Sequence, residues 1–144
     1  MRNTDRPMAP HLQIWRWGPH MLVSILHRMT GVGLAVVGGI VFAWWLLAAA
    51  SGEESYAWFA GLLTVESGRI NIVGVVLGVG LTWAFFTHLF NGIRHFVLDT
   101  GAGYELQTNK RGAILVVAGA IVATAALWGW LQCDWIMGFL GGGA

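Results

Sequence analysis

Three long apolar runs, at about residues 21–50, 69–98 and 112–133, are separated by two short polar stretches. Each run reaches the roughly 20 residues that one bilayer crossing requires, and apolar side chains occupy every face rather than one stripe. The pattern predicts an all-α integral membrane protein with three transmembrane helices, forming one domain over residues 1–144. The flanks are of a different character. Residues 1–20 hold all three prolines (Pro7, Pro10, Pro19) together with Arg2, Arg6 and Arg16, and lack the apolar run of a cleaved leader. They are expected to be a retained interfacial segment, in which Trp15 and Trp17 flank Arg16 as an anchor and the surface either docks a partner or lies on the lipid. Ser51 to Gly68 carries Glu53, Glu54 and Glu66 but no Lys or Arg, and reads as a hydrated loop with a short interfacial piece around Tyr56–Phe59. Asp99 to Arg111 reads as a polar link, and residues 134–144 as a loosely ordered tail.

Composition supports the same class. The chain has 144 residues, 56% hydrophobic and 10% charged, against about 25% charged in soluble domains. A formal charge of +1 offers nothing to nucleic acid. The single cysteine, Cys133, excludes an internal disulfide or a thiolate cluster, so iron–sulfur chemistry would belong to partners. With three crossings, Arg2, Arg6, Arg16, Arg28, Arg94, Lys110 and Arg111 fall on one side and Arg69 on the other. The positive-inside rule then predicts a cytoplasmic N-terminus.

Against this apolar background the ionisable residues stand out, because placing them in lipid is costly. In the second run, Thr87 to Asp99, the spacing of seven sets His88, Gly92 and His95 on one helical stripe, with Asn91 beside it and Arg94 turned away. Gly92 leaves room for something flat. The two histidines stand about 10 Å apart along the axis, too far to hold one iron, so an axial partner for His88 must come from another helix. In the first run, Ser24, His27 and Arg28 share a face through offsets of three and four. A hydroxyl, an imidazole and a guanidinium there suit a carbonyl oxygen or a carboxylate. Helix direction brings the two clusters to one level, with His88 roughly 9 Å below Arg94. His88 beneath a rim of His27, Arg28 and His95 suits a b-type haem with its propionates toward the cations. A hydrogen-bonded intramembrane histidine is the commoner alternative, and a proton relay through His88 and His95 lacks an acidic partner at depth. No CxxCH is present for covalent haem attachment. Gly74 and Gly78, in GxxxG spacing, and Gly119, Ala120 and Ala123 in the bare third run are expected to serve packing, with Trp128, Trp130 and Trp135 near the far interface.

Three segments carry a family resemblance: RPMAPHLQIWRW, SILHRMTG and HLFNGIRHFVLD, in that order. They resemble those of the cytochrome b556 membrane-anchor subunits of succinate dehydrogenase (succinate:quinone oxidoreductase, respiratory complex II), and the likeness spans most of the chain. It implies that His88 is one axial ligand of haem b, with the second supplied by a companion anchor subunit. It also implies that Ser24 and Arg28 border a ubiquinone pocket with Asp99 near it, and that His27 and Arg28, beside His95, approach the propionates. The implied partners are an iron–sulfur subunit and a flavoprotein docked on the cytoplasmic face of a bacterial inner membrane. In this reading the chain oxidises no substrate itself. The competing expectations are a fumarate reductase anchor using menaquinone, a haem-free structural anchor, and a small channel. The channel fits poorly, because the ionisable groups gather in one leaflet.

Overall fold

The computed structural model describes residues 17–65 and 69–133. The expectations for Trp15, Arg16, Glu66, Trp135 and the two tails lie outside these residues. The first spanning helix is continuous over Pro19–Ala50. It consists of α1 (Pro19–Gly33), a π-helical segment (Leu34–Gly38) and α2 (Gly39–Ala50). Pro19 at the first helical position follows an extended Gly18; the missing N–H costs nothing there and the ring pre-sets φ. The π segment is flanked by Gly33 and Gly39 and ends on Gly38, where wider winding meets little side-chain crowding.

The helix stops at Ser51, whose Oγ donates to the Leu47 carbonyl at 2.7 Å. Gly52 then reverses the chain with φ of 103°, a conformation that suits glycine. A helix follows where the sequence suggested mostly loop: α3 (Glu53–Leu63). Glu53 and Glu54 occupy its first turn, favourable for the helix dipole. Phe59, 7% exposed, meets Trp44 of α2 edge-on at 5.2 Å. The connection onward is also built rather than merely hydrated. Asn71 caps the next helix by accepting from the Gly74 N–H at 2.9 Å, and its amide donates to the Leu62 carbonyl at 2.9 Å. One side chain thus satisfies an end of each helix.

The second and third spanning helices are α4 (Ile72–Asp99) and α5 (Leu106–Leu131). Helix α5 begins at Leu106 rather than Gly112, so Lys110 and Arg111 belong to it. The link between them turns through Gly101 and Gly103, both at positive φ. Along α5, Ala113, Val116, Ala120 and Thr124 form the buried stripe. Val23 of α1 packs with Ala113 and Val116, and Phe90 and Val117 close around them. Gly119 accommodates the Phe90 ring, which a Cβ would meet at 3.3 Å.

Two expectations are refined by this packing. Gly78 admits the indole of Trp128 rather than a neighbouring backbone, and a Cβ there would meet that ring at 2.6 Å. Trp128 therefore faces inward, donating to Thr82 Oγ1 at 3.3 Å, whereas Trp130 is 73% exposed. Gly74 lies against the Leu63 carbonyl at the α3 turn. Most large apolar side chains on all three spanning helices remain exposed, as expected where lipid or partner helices supply the apolar surroundings. Pro19 and Ala113 line one groove, so the start of α1, the end of α4 and the start of α5 lie on the same side of the bundle.

Candidate functional site

At the level of His27, α1 and α4 present imidazoles to each other. The His27 and His88 rings stack with centroids 4.0 Å apart and planes 4° from parallel. His95 joins them, its ring 5.3 Å from His27. Two turns of α4 separate His88 from His95, and His27 reaches both because α1 crosses beside that stripe. His88 Nδ1 lies 3.1 Å from the His27 carbonyl oxygen. A carbonyl only accepts, so Nδ1 carries a proton, and it is Nε2 that offers a lone pair in the neutral ring. This is the support found behind imidazoles that ligate metals: the nitrogen not bound to metal donates to a backbone carbonyl, which fixes tautomer and ring orientation.

Gly31 supplies the space. A Cβ at that position would stand 2.8 Å from His88 Cε1, so a side chain would push the ring away. Thr30, buried at 5% exposure, turns its hydroxyl to the Leu26 carbonyl at 2.7 Å and keeps that segment helical without presenting a polar group to lipid. Neither residue was singled out from sequence. Their signal was the position of Gly31 four residues after His27, on the same face. Gly92, on the histidine stripe, faces open space: a Cβ there would meet nothing within 4 Å. Among the described residues no three His, Cys, Asp or Glu side chains form a metal-holding group, so the histidine cluster is not a self-contained three-ligand site.

The second predicted pair is also together. Arg28 Nη2 donates to Ser24 Oγ at 3.5 Å and its Nε to the Ser24 carbonyl at 3.4 Å. Both residues are exposed on the outer side of α1, leaving further guanidinium donors available. Asp99 differs. It ends α4 and is exposed, and no hydrogen bond or ion pair joins it to Ser24 or Arg28 among the described residues.

Arg94 points the other way, as its position predicted, and sequence gave no role for what it meets. It donates to Asn91 Oδ1 at 3.3 Å and to Asn109 Oδ1 at 2.5 Å. Its side chain crosses Gly112, where a Cβ would lie 3.6 Å from Nε. The arginine therefore fastens α4 to the first turns of α5.

Residues 2–127 match the family described as the succinate dehydrogenase/fumarate reductase transmembrane subunit. The chain belongs to that family. As a member of it, this protein carries every histidine and arginine of the site within the matched region. The chain is similar to the succinate dehydrogenase cytochrome b556 subunit of Paracoccus denitrificans, 31% identical over 82% of this chain and 85% of that one. It is similar to the corresponding subunit of Rickettsia felis at 35% identity over 85% and 90%. The mitochondrial succinate dehydrogenase cytochrome b560 subunit of Mus musculus is 32% identical over 87% of this chain and 71% of its own. The family match covers the first two spanning helices of this transmembrane subunit and α5 up to Leu127.

Proposed function

We propose that this chain is the haem b-binding membrane anchor of a succinate dehydrogenase, with His88 as one axial ligand and the second contributed by a companion anchor subunit. The observation that carries the reading is the His88 Nδ1–H bond to the His27 carbonyl at 3.1 Å, which leaves Nε2 free to ligate. The residues present fit the group: an imidazole backed by a carbonyl, a glycine cradle at Gly31, and a stripe left open at Gly92. Haem b, when bound, supplies a one-electron carrier beside the quinone site. His27, Arg28 and His95 provide donors for propionates, whose burial requires compensation.

Arg28 and Ser24 serve the quinone. A guanidinium held by its own Ser24 contacts and a hydroxyl donor together stabilise negative charge that develops on a quinone oxygen during reduction. Asp99 borders the same side of the bundle. The N-terminus faces the cytoplasm of a bacterial inner membrane, on the positive-inside count, and the iron–sulfur and flavoprotein subunits dock there. The names of the similar bacterial and mitochondrial chains favour a succinate dehydrogenase over a fumarate reductase, and ubiquinone is the acceptor in this reading.

Replacing His88 by Ala in the complex co-expressed with its partner subunits is expected to remove the low-spin bis-histidine signature from the reduced-minus-oxidised spectrum. A wild-type spectrum would take His88 out of the site. Arg28→Leu is expected to impair succinate:quinone activity while sparing succinate oxidation with an artificial acceptor; equal loss of both would contradict the quinone assignment.

A further inference from the structure

We propose that the groove between the start of α1 and the first half of α5 binds an acyl chain of an anionic phospholipid whose phosphate is held by Lys110 and Arg111. The site rests only on the chain's crossing a membrane and is independent of the haem and quinone assignments. The groove is open along its outer side and has a volume of about 510 Å³. Trp17, Pro19 and Leu22 form one wall and Ile114, Val117 and Ile121 the other. Ala113, fully buried, makes the floor because a small side chain there keeps the furrow deep. The lining is almost entirely apolar, so water gains nothing by filling it and a hydrocarbon chain does.

The mouth has the opposite character. On α5, Lys110, Ile114, Val117 and Ile121 follow one another at offsets of three and four, so they share a stripe. Lys110 stands about 6 Å outward from Ile114 along the axis, and the groove runs about 12 Å inward from Ala113 to Ile121. Lys110 and Arg111 are exposed, and among the described residues neither side chain makes a hydrogen bond or ion pair. Trp17, 61% exposed, stands at the same mouth, the depth at which indoles meet lipid headgroups. An apolar helix from another subunit would cover the furrow but would leave two cations unanswered. A phospholipid answers both halves: hydrocarbon below and a phosphate at the level of a basic pair.

The test uses the assembled complex in detergent, with native mass spectrometry after addition of dioleoyl phosphatidylglycerol, dioleoyl phosphatidylcholine or inorganic phosphate at equal concentration. Wild-type complex is expected to retain one more phosphatidylglycerol per copy of this chain than phosphatidylcholine, and no comparable phosphate adduct. The double variant K110Q/R111Q is expected to bind that phosphatidylglycerol on the order of tenfold more weakly. Ala118→Trp, which fills the groove from an exposed position that lines it, is expected to abolish retention. Wild-type retention in K110Q/R111Q would overturn the headgroup site. Wild-type retention in Ala118→Trp, or no lipid difference between wild type and both variants because another helix covers the groove, would overturn the acyl site. Should Ala118→Trp fail to assemble, the double variant at the exposed rim decides alone.

Discussion

His88 and His27, 61 positions apart in sequence, are joined by a hydrogen bond from an imidazole Nδ1–H to a main-chain carbonyl at 3.1 Å. The acceptor belongs to a residue whose own ring stacks on the donor at 4.0 Å. The α1 backbone therefore sets the tautomer of the α4 histidine. Because the acceptor is main chain, substitutions of the His27 side chain leave that bond available and act on the ring stacking and on the propionate contact proposed for that ring. His27→Ala is expected to keep the haem spectrum of the assembled complex while altering the haem midpoint potential in a potentiometric titration. Loss of the haem altogether would make His27 a ligand or an indispensable support.

Gly31 controls the same ring sterically. Gly31→Val places a branched side chain where even a Cβ meets His88 Cε1 at 2.8 Å. The cost of such overpacking is about 1–3 kcal/mol, and the ring must leave the His27 carbonyl. A reduced haem content with a shifted absorption band is expected from the pyridine haemochrome and difference spectra. An unchanged spectrum would show that the ring has another position compatible with its role.

Arg94 fastens α4 to α5 by donating to Asn109 Oδ1, while Asn91 Oδ1 on its own helix also accepts from the guanidinium. Arg94→Lys retains the charge but loses the planar fork that reaches both. The expected loss of stability is about 1–3 kcal/mol, since a buried acceptor is left without its donor. Thermal inactivation of the complex should show a lowered midpoint, and Asn109→Ala should lower it by a similar amount. An additive effect in the double variant would mean the two side chains act independently.

Trp128 and Gly78 form a second fastening between the same helices. Gly78→Val pushes the indole from its seat and breaks its bond to Thr82, and a loss of about 1–3 kcal/mol is expected. Trp128→Phe removes the indole N–H and part of the ring, so it should partly relieve the clash when combined with Gly78→Val. The double variant should melt above Gly78→Val alone; a further fall would contradict the seat.

Thr87 tests the opposite sign. Its Oγ1 is buried without a hydrogen-bond partner, and the residue is 1% exposed. An orphan hydroxyl costs about 1–3 kcal/mol, and an apolar group of the same shape avoids it. Thr87→Val is therefore expected to hold or raise the thermal midpoint. A clear fall would reveal a partner for the hydroxyl, such as an internal water.

The sequence by itself determined the three helices long and apolar enough to cross a membrane and the spacing of the histidines and arginines along them. Lipid offers no hydrogen bonds to a bare backbone, so apolar runs of this length become helices. Helical periodicity then places His88 and His95 on one stripe and Arg94 off it. The same reasoning read Glu53–Leu63 as mostly loop, because its glutamates suggested water; the aromatic contact of Phe59 with Trp44 makes it a helix on the bundle. It also began α5 too late, since Lys110 and Arg111 looked like link residues although both are good helix formers. Only tertiary structure decided that His88 donates to α1, that Arg94 finds Asn109, and that Trp128 turns inward onto Gly78. Those outcomes depend on the rotation and separation of neighbouring helices. Helices apolar on every face carry little record of either, so short contacts at single glycines and carbonyls fix them.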